Sequence, residues 1–227
     1  MFKKIVFAVA MSFSVSAFAQ QHEAAAVSSP KDGNETTDLL ITADRLVQYG
    51  YKTKTAMPLI QAVEIYNRIG VRPETESRVK TTISDEVVAT RPVEKTEVVQ
   101  YEPEKILADA TQFADGNKNL LALIKSVGGT KGAVGGPKYS NDCVSAYSTD
   151  VYTVRFRGGE NAIVVVSGDG DTDLDLYVYD ENGNLIDYDT DSGDQCVCTF
   201  SPRWTGDFVL KIKNLGSVYN CYSLRTN

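Results

Sequence analysis

Beyond the glycine-rich stretch "GGTKGAVGGPK" (128–138), the chain breaks into short apolar runs divided by turn residues. The runs are "DVYTVRF" (150–156), "NAIVVVSG" (161–168), "DLDLYVY" (173–179), "NLIDYD" (184–189), "QCVCTF" (195–200), "DFVLKIKN" (207–214) and "SVYNCYSLR" (217–225). They are rich in Val, Tyr and Ile, residues that suit a pleated, half-buried surface. Seven such runs at this spacing predict an antiparallel β-sandwich over 141–227. The glycines of 128–140 read as a flexible hinge. A phosphate loop is excluded, because that pattern needs Gly-Lys-Ser/Thr, and here Lys138 lies between Pro137 and Tyr139.

The preceding residues follow a different period. Leu39, Leu40, Ala43, Leu46 and Val47 share one helical face, with Thr36 or Thr37 as N-cap and Gly50 as a stop. Leu59, Ala62, Val63, Tyr66 and Ile69 form a second stripe, opened near Pro58 and closed by Gly70. Residues 37–70 thus predict a helical hairpin. Residues 71–102 alternate charge with Val and Thr and read as a charged linker that can hold weak extended segments. Residues 103–127 read as a helical segment that "DGN" at 115–117 can break. The small polar residues 20–36 read as a disordered leader. Residues 1–19 carry Lys3 and Lys4, an apolar run and Ala17-Phe18-Ala19, the pattern of a bacterial secretory signal peptide cleaved after Ala19. The expected destination is the periplasm or the cell exterior, and no later stretch is long and apolar enough to span a membrane.

From Gly158 to Pro202 there are eleven Asp and Glu and no Lys or Arg. In "DLDLYVY", Leu174, Leu176 and Val178 share the buried face, and Asp173, Asp175, Tyr177 and Tyr179 the other. A two-residue Asn182-Gly183 turn would pair Val178 with Asp187 and Leu176 with Asp189, turning two carboxylates inward. A three-residue loop with Gly183 in the left-handed conformation pairs Val178 with Ile186 and Leu176 with Tyr188 instead. That register is the expected one, and it sets Asp175 against Asp189 and Asp173 against Asp191. Opposed like charges cost about 0.2–1 kcal/mol per pair. A divalent cation would relieve them, so Asp169, Asp171, Asp173, Asp175, Asp189 and Asp191 are candidate Ca²⁺ ligands. The plainer reading is a solvated face that protects a sheet edge. An EF-hand is excluded, since Leu174 stands where its loop needs Gly.

In an oxidising compartment, Cys143, Cys196, Cys198 and Cys221 are disulfide candidates. Cys196 and Cys198 face the same side of a strand, so each is expected to pair with Cys143 or Cys221. Zinc is disfavoured by the "CVC" spacing. The one histidine, His22, lies in the leader, which leaves no imidazole for a nucleophilic triad in the folded part. No catalytic residue is therefore assigned. A net charge of −7 argues against nucleic acid and anionic membranes as partners. Trp204 reads as packing at the sandwich edge, and Arg155, Arg157, Arg203, Lys211 and Lys213 read as surface charge.

"GDGDTDLDLYVYDENGNLI", "CTFSPRWTGDFVLKIKN" and "YSLRTN" together resemble the bacterial pre-peptidase C-terminal domain family. The matching features are Asp175-Leu176-Tyr177, the Pro202–Gly206 turn before Phe208, and Tyr222-Ser223-Leu224. The resemblance implies a jelly-roll-like sandwich that serves exported proteins, often peptidases, in targeting, binding or stabilisation. Its relatives include calcium-binding, collagen-binding domains. The segment before the sandwich is too short and too helical for a peptidase. The expected function is thus an exported, non-catalytic module that binds an extracellular protein or glycan. The alternatives are an accessory subunit or small hydrolase, and an envelope protein that assembles through its helices.

Overall fold

The computed structural model describes residues 23–29, 34–74, 80–84, 101–128 and 137–227. The signal segment, His22 and most of the glycine-rich hinge lie outside these residues.

Strand β1 (Ala26–Ser28) comes first, followed by helices α1 (Glu35–Thr53) and α2 (Ala56–Ile69). The short strands β2 (Arg72–Pro73) and β3 (Lys80–Ser84) lead to α3 (Pro103–Phe113) and α4 (Lys118–Gly128). Eight strands then run without an intervening helix: β4 (Lys138–Val144), β5 (Ser148–Phe156), β6 (Ala162–Ser167), β7 (Leu174–Tyr179), β8 (Leu185–Asp189), β9 (Gln195–Pro202), β10 (Gly206–Asn214) and β11 (Asn220–Thr226). One sheet has the order β1-β9-β6-β11-β4-β2, the other β3-β5-β10-β7-β8. All pairings are antiparallel except β2 with β4. The expected β-sandwich is therefore present.

Alternation builds the core between the sheets. Leu174, Leu176, Val178, Phe208, Leu210 and Ile212 from one sheet meet Val164, Val166, Cys196, Cys198, Phe200 and Leu224 from the other. Phe156, Phe200 and Phe208 form an aromatic cluster, with centroids 5.0–5.8 Å apart. The six-stranded sheet is buried on both faces. Ile163, Val165 and Val197 point away from the sandwich into a second core with Leu40, Val47, Leu59, Val63 and Tyr66. The unbroken apolar run of β6 suits such two-sided burial. The helices are thus a third layer, and their stripes are completed by the sheet.

Several local expectations are corrected. Within the segment read as a disordered leader (20–36), Ala26–Ser28 pair with Phe200–Pro202 and Ala25 is buried. Asn34 caps α1, accepting from the Thr36 and Thr37 amides at 3.1 and 3.2 Å. Gly50 lies inside α1 and does not end it. A Cβ there would meet Leu59 Cδ2 at 2.5 Å, so the glycine permits close crossing of α2. Short extended segments of the linker 71–102, in contrast, are as expected, and each is an edge strand of one sheet, β2 beside β4 and β3 beside β5. The sandwich begins at Lys138, inside the segment read as hinge.

The cysteines are also corrected. Cys143 and Cys221 stand directly opposite on β4 and β11 and form the disulfide, while Cys196 and Cys198 are thiols outside that bridge, buried between the sheets. Strand β4 supplies the partner; its first residues fall in the segment read as hinge and no strand is expected over 141–144, so the sequence does not show the cross-strand pair.

Candidate functional site

The acidic hairpin β7–β8 takes the other register. Leu176 pairs with Asp189 and Val178 with Asp187, and a bulge follows before Tyr179 meets Leu185. The bulge lets Ile186 stay buried while Asp187 and Asp189 both turn toward β9. The feared burial cost is met by hydrogen bonds. Asp189 Oδ2 accepts the Val197 amide at 2.8 Å, and Asp187 Oδ2 accepts that of Thr199 at 2.9 Å. Charged acceptors on backbone amides make strong hydrogen bonds. The two carboxylates thereby tie β8, the edge of one sheet, to β9 of the other, which lies between β1 and β6.

Two of the other predicted ligands are placed the same way. Asp169 Oδ2 accepts the Cys221 amide at 2.9 Å, and Asp173 Oδ1 accepts that of Gly193 at 2.8 Å. Asp191 is exposed and donates its amide to Asp189 Oδ1 at 3.3 Å; Asp171 is an exposed loop residue. Asp175 is only 6% exposed, accepts from the Tyr177 hydroxyl at 3.0 Å and stands opposite Lys213 on β10. Its burial lifts its carboxyl above the usual range, and Asp173 and Asp189 add to the lift against the Tyr177 hydroxyl and Lys213. The expected oppositions Asp175–Asp189 and Asp173–Asp191 do not occur. Two further aspartates act in the loops. Asp194 accepts the Gly170 amide, and Asp180 accepts the amides of Ala25, Asn182 and Asn184. As calcium ligands these residues are not preassembled. Among the described residues no three His, Cys, Asp or Glu come together to hold a metal ion.

The same strands build a different surface on the outer face of the five-stranded sheet. Tyr188, Tyr177, Lys211, Val151 and Thr81 occupy one row across β8, β7, β10, β5 and β3. In the next row Leu185, Tyr179, Val209 and Thr153 are aligned. The rings of Tyr177 and Tyr188 are 6.5 Å apart and nearly parallel, at 22°. Lys211 Nζ lies 4.7 Å from the Tyr179 ring centre. Tyr188 is 52% exposed and Leu185 48%. The Tyr177 hydroxyl is pushed up to about 12 by burial and by Asp175, so it is a neutral donor at physiological pH. Flat aromatic faces beside ammonium groups can stack apolar ligand surfaces and donate hydrogen bonds. The alternation of "DLYVY" already set both tyrosines outward. That Tyr188 and Lys211 join them needs the strand order, which periodicity does not carry.

No family model matches the chain, and no curated protein matches it in sequence. Among solved structures, it is similar to the pre-peptidase C-terminal domain of collagenase from Bacillus anthracis, with 17% identity and a TM-score of 0.33, over 39% of this chain and 88% of that one. It is similar also to the Yersinia pseudotuberculosis-derived mitogen, with 15% identity and a TM-score of 0.31, over 40% and 84%. A de novo designed double-stranded β-helix gives 13% identity and a TM-score of 0.27, over 40% and 99%. Likenesses at this level carry no argument about function, which rests on the residues. No helix among the described residues is long and apolar enough to cross a membrane.

Proposed function

We propose that the chain is an exported, non-catalytic binding module, and that the outer face of the five-stranded sheet is its ligand surface. The observation that carries this reading is the row Tyr188–Tyr177–Lys211, with Tyr179 beside it. The two sheets differ in a telling way. The six-stranded sheet spends its outer face on the helices, whereas half-exposed tyrosines and lysines stand on the other. Large aromatic side chains supply much contact area with few rotatable bonds, which favours their use at interfaces. The proposed ligand is an extracellular glycan. Its C–H faces would stack on the tyrosines, and its hydroxyls would pair with Lys211 and Lys213. Export rests on the segment 1–19, and its check is cleavage after Ala19 in a secreting host.

The experiment is a binding screen of the purified chain on a glycan array, with an immobilised-protein panel alongside. Glycan binding that is lost in Tyr177→Ala/Tyr188→Ala, with an unchanged melting temperature, supports the reading. Protein binding lost in the same variant would keep the surface and change the ligand class. Binding that survives the double substitution would overturn the site.

Calcium binding by Asp169, Asp171, Asp173, Asp175, Asp189 and Asp191 is a separate proposal with its own test. A saturable rise in melting temperature with Ca²⁺, lost in Asp175→Asn/Asp189→Asn, would mean that the loops rearrange around the ion. An unchanged melting temperature would leave Asp169, Asp173 and Asp189 as acceptors of backbone amides.

A further inference from the structure

Beside the disulfide, a cluster of polar side chains joins the two sheets and plays no part in the surface above. Lys80 of β3 reaches across to β4, where its Nζ lies 2.6 Å from Asp142 Oδ1. The same Nζ is 3.3 Å from Oδ2 of Asp150, which has no solvent exposure. Asp150 accepts in addition from the Tyr222 hydroxyl at 2.7 Å and from Thr82 Oγ1 at 2.6 Å. The other oxygen of Asp142, Oδ2, accepts from the Tyr152 hydroxyl at 3.2 Å. The hydroxyls of Tyr152 and Tyr222 are 2.6 Å apart. An amine, the carboxyl it faces, a buried second carboxylate and a hydroxyl on the far oxygen thus occupy one site.

We propose that Lys80 and Asp142 form an intramolecular isopeptide bond, with Asp150 relaying the proton. The bond would link Lys80 Nζ to Asp142 Cγ and release one water. Asp150 takes a proton from the Lys80 ammonium, and the free amine attacks Cγ. The Tyr152 hydroxyl donates to Oδ2 as negative charge develops there, the role of an oxyanion-stabilising donor. Asp150 returns its proton to Oδ1, and a second proton from Nζ follows. Oδ1 leaves as water, and Oδ2 becomes the amide oxygen. Ammonium and carboxylate become amide and water, so atoms and charge balance and no oxidant is needed. Holding both groups in contact converts a bimolecular condensation into an intramolecular one. Burial alone would lower the Lys80 pKa; the hydrogen bonds and charges of Asp142 and Asp150 raise it overall, so the ion pair is the state from which the bond forms. The product would pin β3, an edge strand of one sheet, to β4 of the other.

The test is the intact mass of the purified, folded chain after disulfide reduction. The predicted mass falls short of the sequence mass by one water. Digestion should then yield a branched peptide that joins residues 80 and 142. Lys80→Arg and Asp142→Ala should each restore the full mass. Asp150→Asn should slow bond formation by about 10²-fold or more, the range expected for general acid–base help. A full sequence mass for the parent chain overturns the proposal, whatever the variants do. So does a mass deficit that persists in both Lys80→Arg and Asp142→Ala.

Discussion

Arg225 Nη1 lies 2.6 Å from Asp44 Oδ2, and neither side chain has any solvent exposure. Arg225 belongs to β11 and Asp44 to α1, so the pair joins the helical layer to the sandwich. Tyr66 accepts from Arg225 Nη2 at 3.0 Å and donates to Asp44 Oδ1, and Ser167 donates to Asp44 Oδ2. The guanidinium also rests 4.9 Å from the Tyr66 ring centre and 5.2 Å from that of Tyr101. Removing one partner strands a buried charge, which costs about 3–5 kcal/mol. Arg225→Met and Asp44→Asn should each lose that much in urea unfolding. The double substitution should lose less than the sum of the two. Helical dichroism and Trp204 fluorescence should report one coincident transition, because the layers share a core.

The hairpin carboxylates predict a local effect. In Asp189→Ala and Asp187→Ala, the Val197 and Thr199 amides lose their acceptors. Each substitution should cost about 1–3 kcal/mol, the range for stranding a buried polar partner. Amide exchange should quicken at Val197 or Thr199 respectively, with β11 unaffected. Unchanged exchange at both positions would contradict the inter-sheet tie.

Asp180 gives a pH signature. Its carboxyl lies below the usual range: burial opposes the shift, but hydrogen bonds from Ala25, the Asn184 side chain and the Asn184 and Asn182 amides outweigh it. A lowered folded-state value means stability that is fully present above the unfolded value, near 3.9, and lost as pH falls through the folded one. Asp180→Asn should therefore be less stable than the parent at pH 7. The gap should close in acid, as seen in melting curves across pH. A gap that is constant with pH would show that the charge is immaterial.

The thiols are simple to count. Without reductant, the native chain should react with a thiol reagent at neither Cys196 nor Cys198, and the unfolded chain at two sites. Burial pushes the Cys196 thiol well up, with nearby aspartates adding to it, so it is a poor nucleophile while folded. Four reactive thiols after unfolding would contradict the Cys143–Cys221 bridge.

Much of this architecture is legible in the sequence. The period-two runs after the hinge become strands at nearly their expected bounds, and Gly70 and the "DGN" break end helices as expected. What periodicity misses is long-range. Lys138–Val144 alternates too weakly to stand out from its glycine-rich surroundings, and with it goes the Cys143 pairing. The hairpin register fails for a stated physical reason. Inward carboxylates are costly only when nothing meets them, and the amides of β9 do. A strand of the second sheet cannot be foreseen from the hairpin alone. The ligand surface fails likewise, since Tyr177 finds Tyr188 and Lys211 only through strand order.

The most direct measurement is a side-by-side titration of the parent chain and Tyr177→Ala/Tyr188→Ala against the strongest glycan from the array. The account predicts saturable binding by the parent and at least a tenfold weaker affinity in the variant, the loss of about 1.4 kcal/mol or more expected when central aromatic anchors are removed. Equal affinities, with both proteins folded, would contradict the assignment of this face.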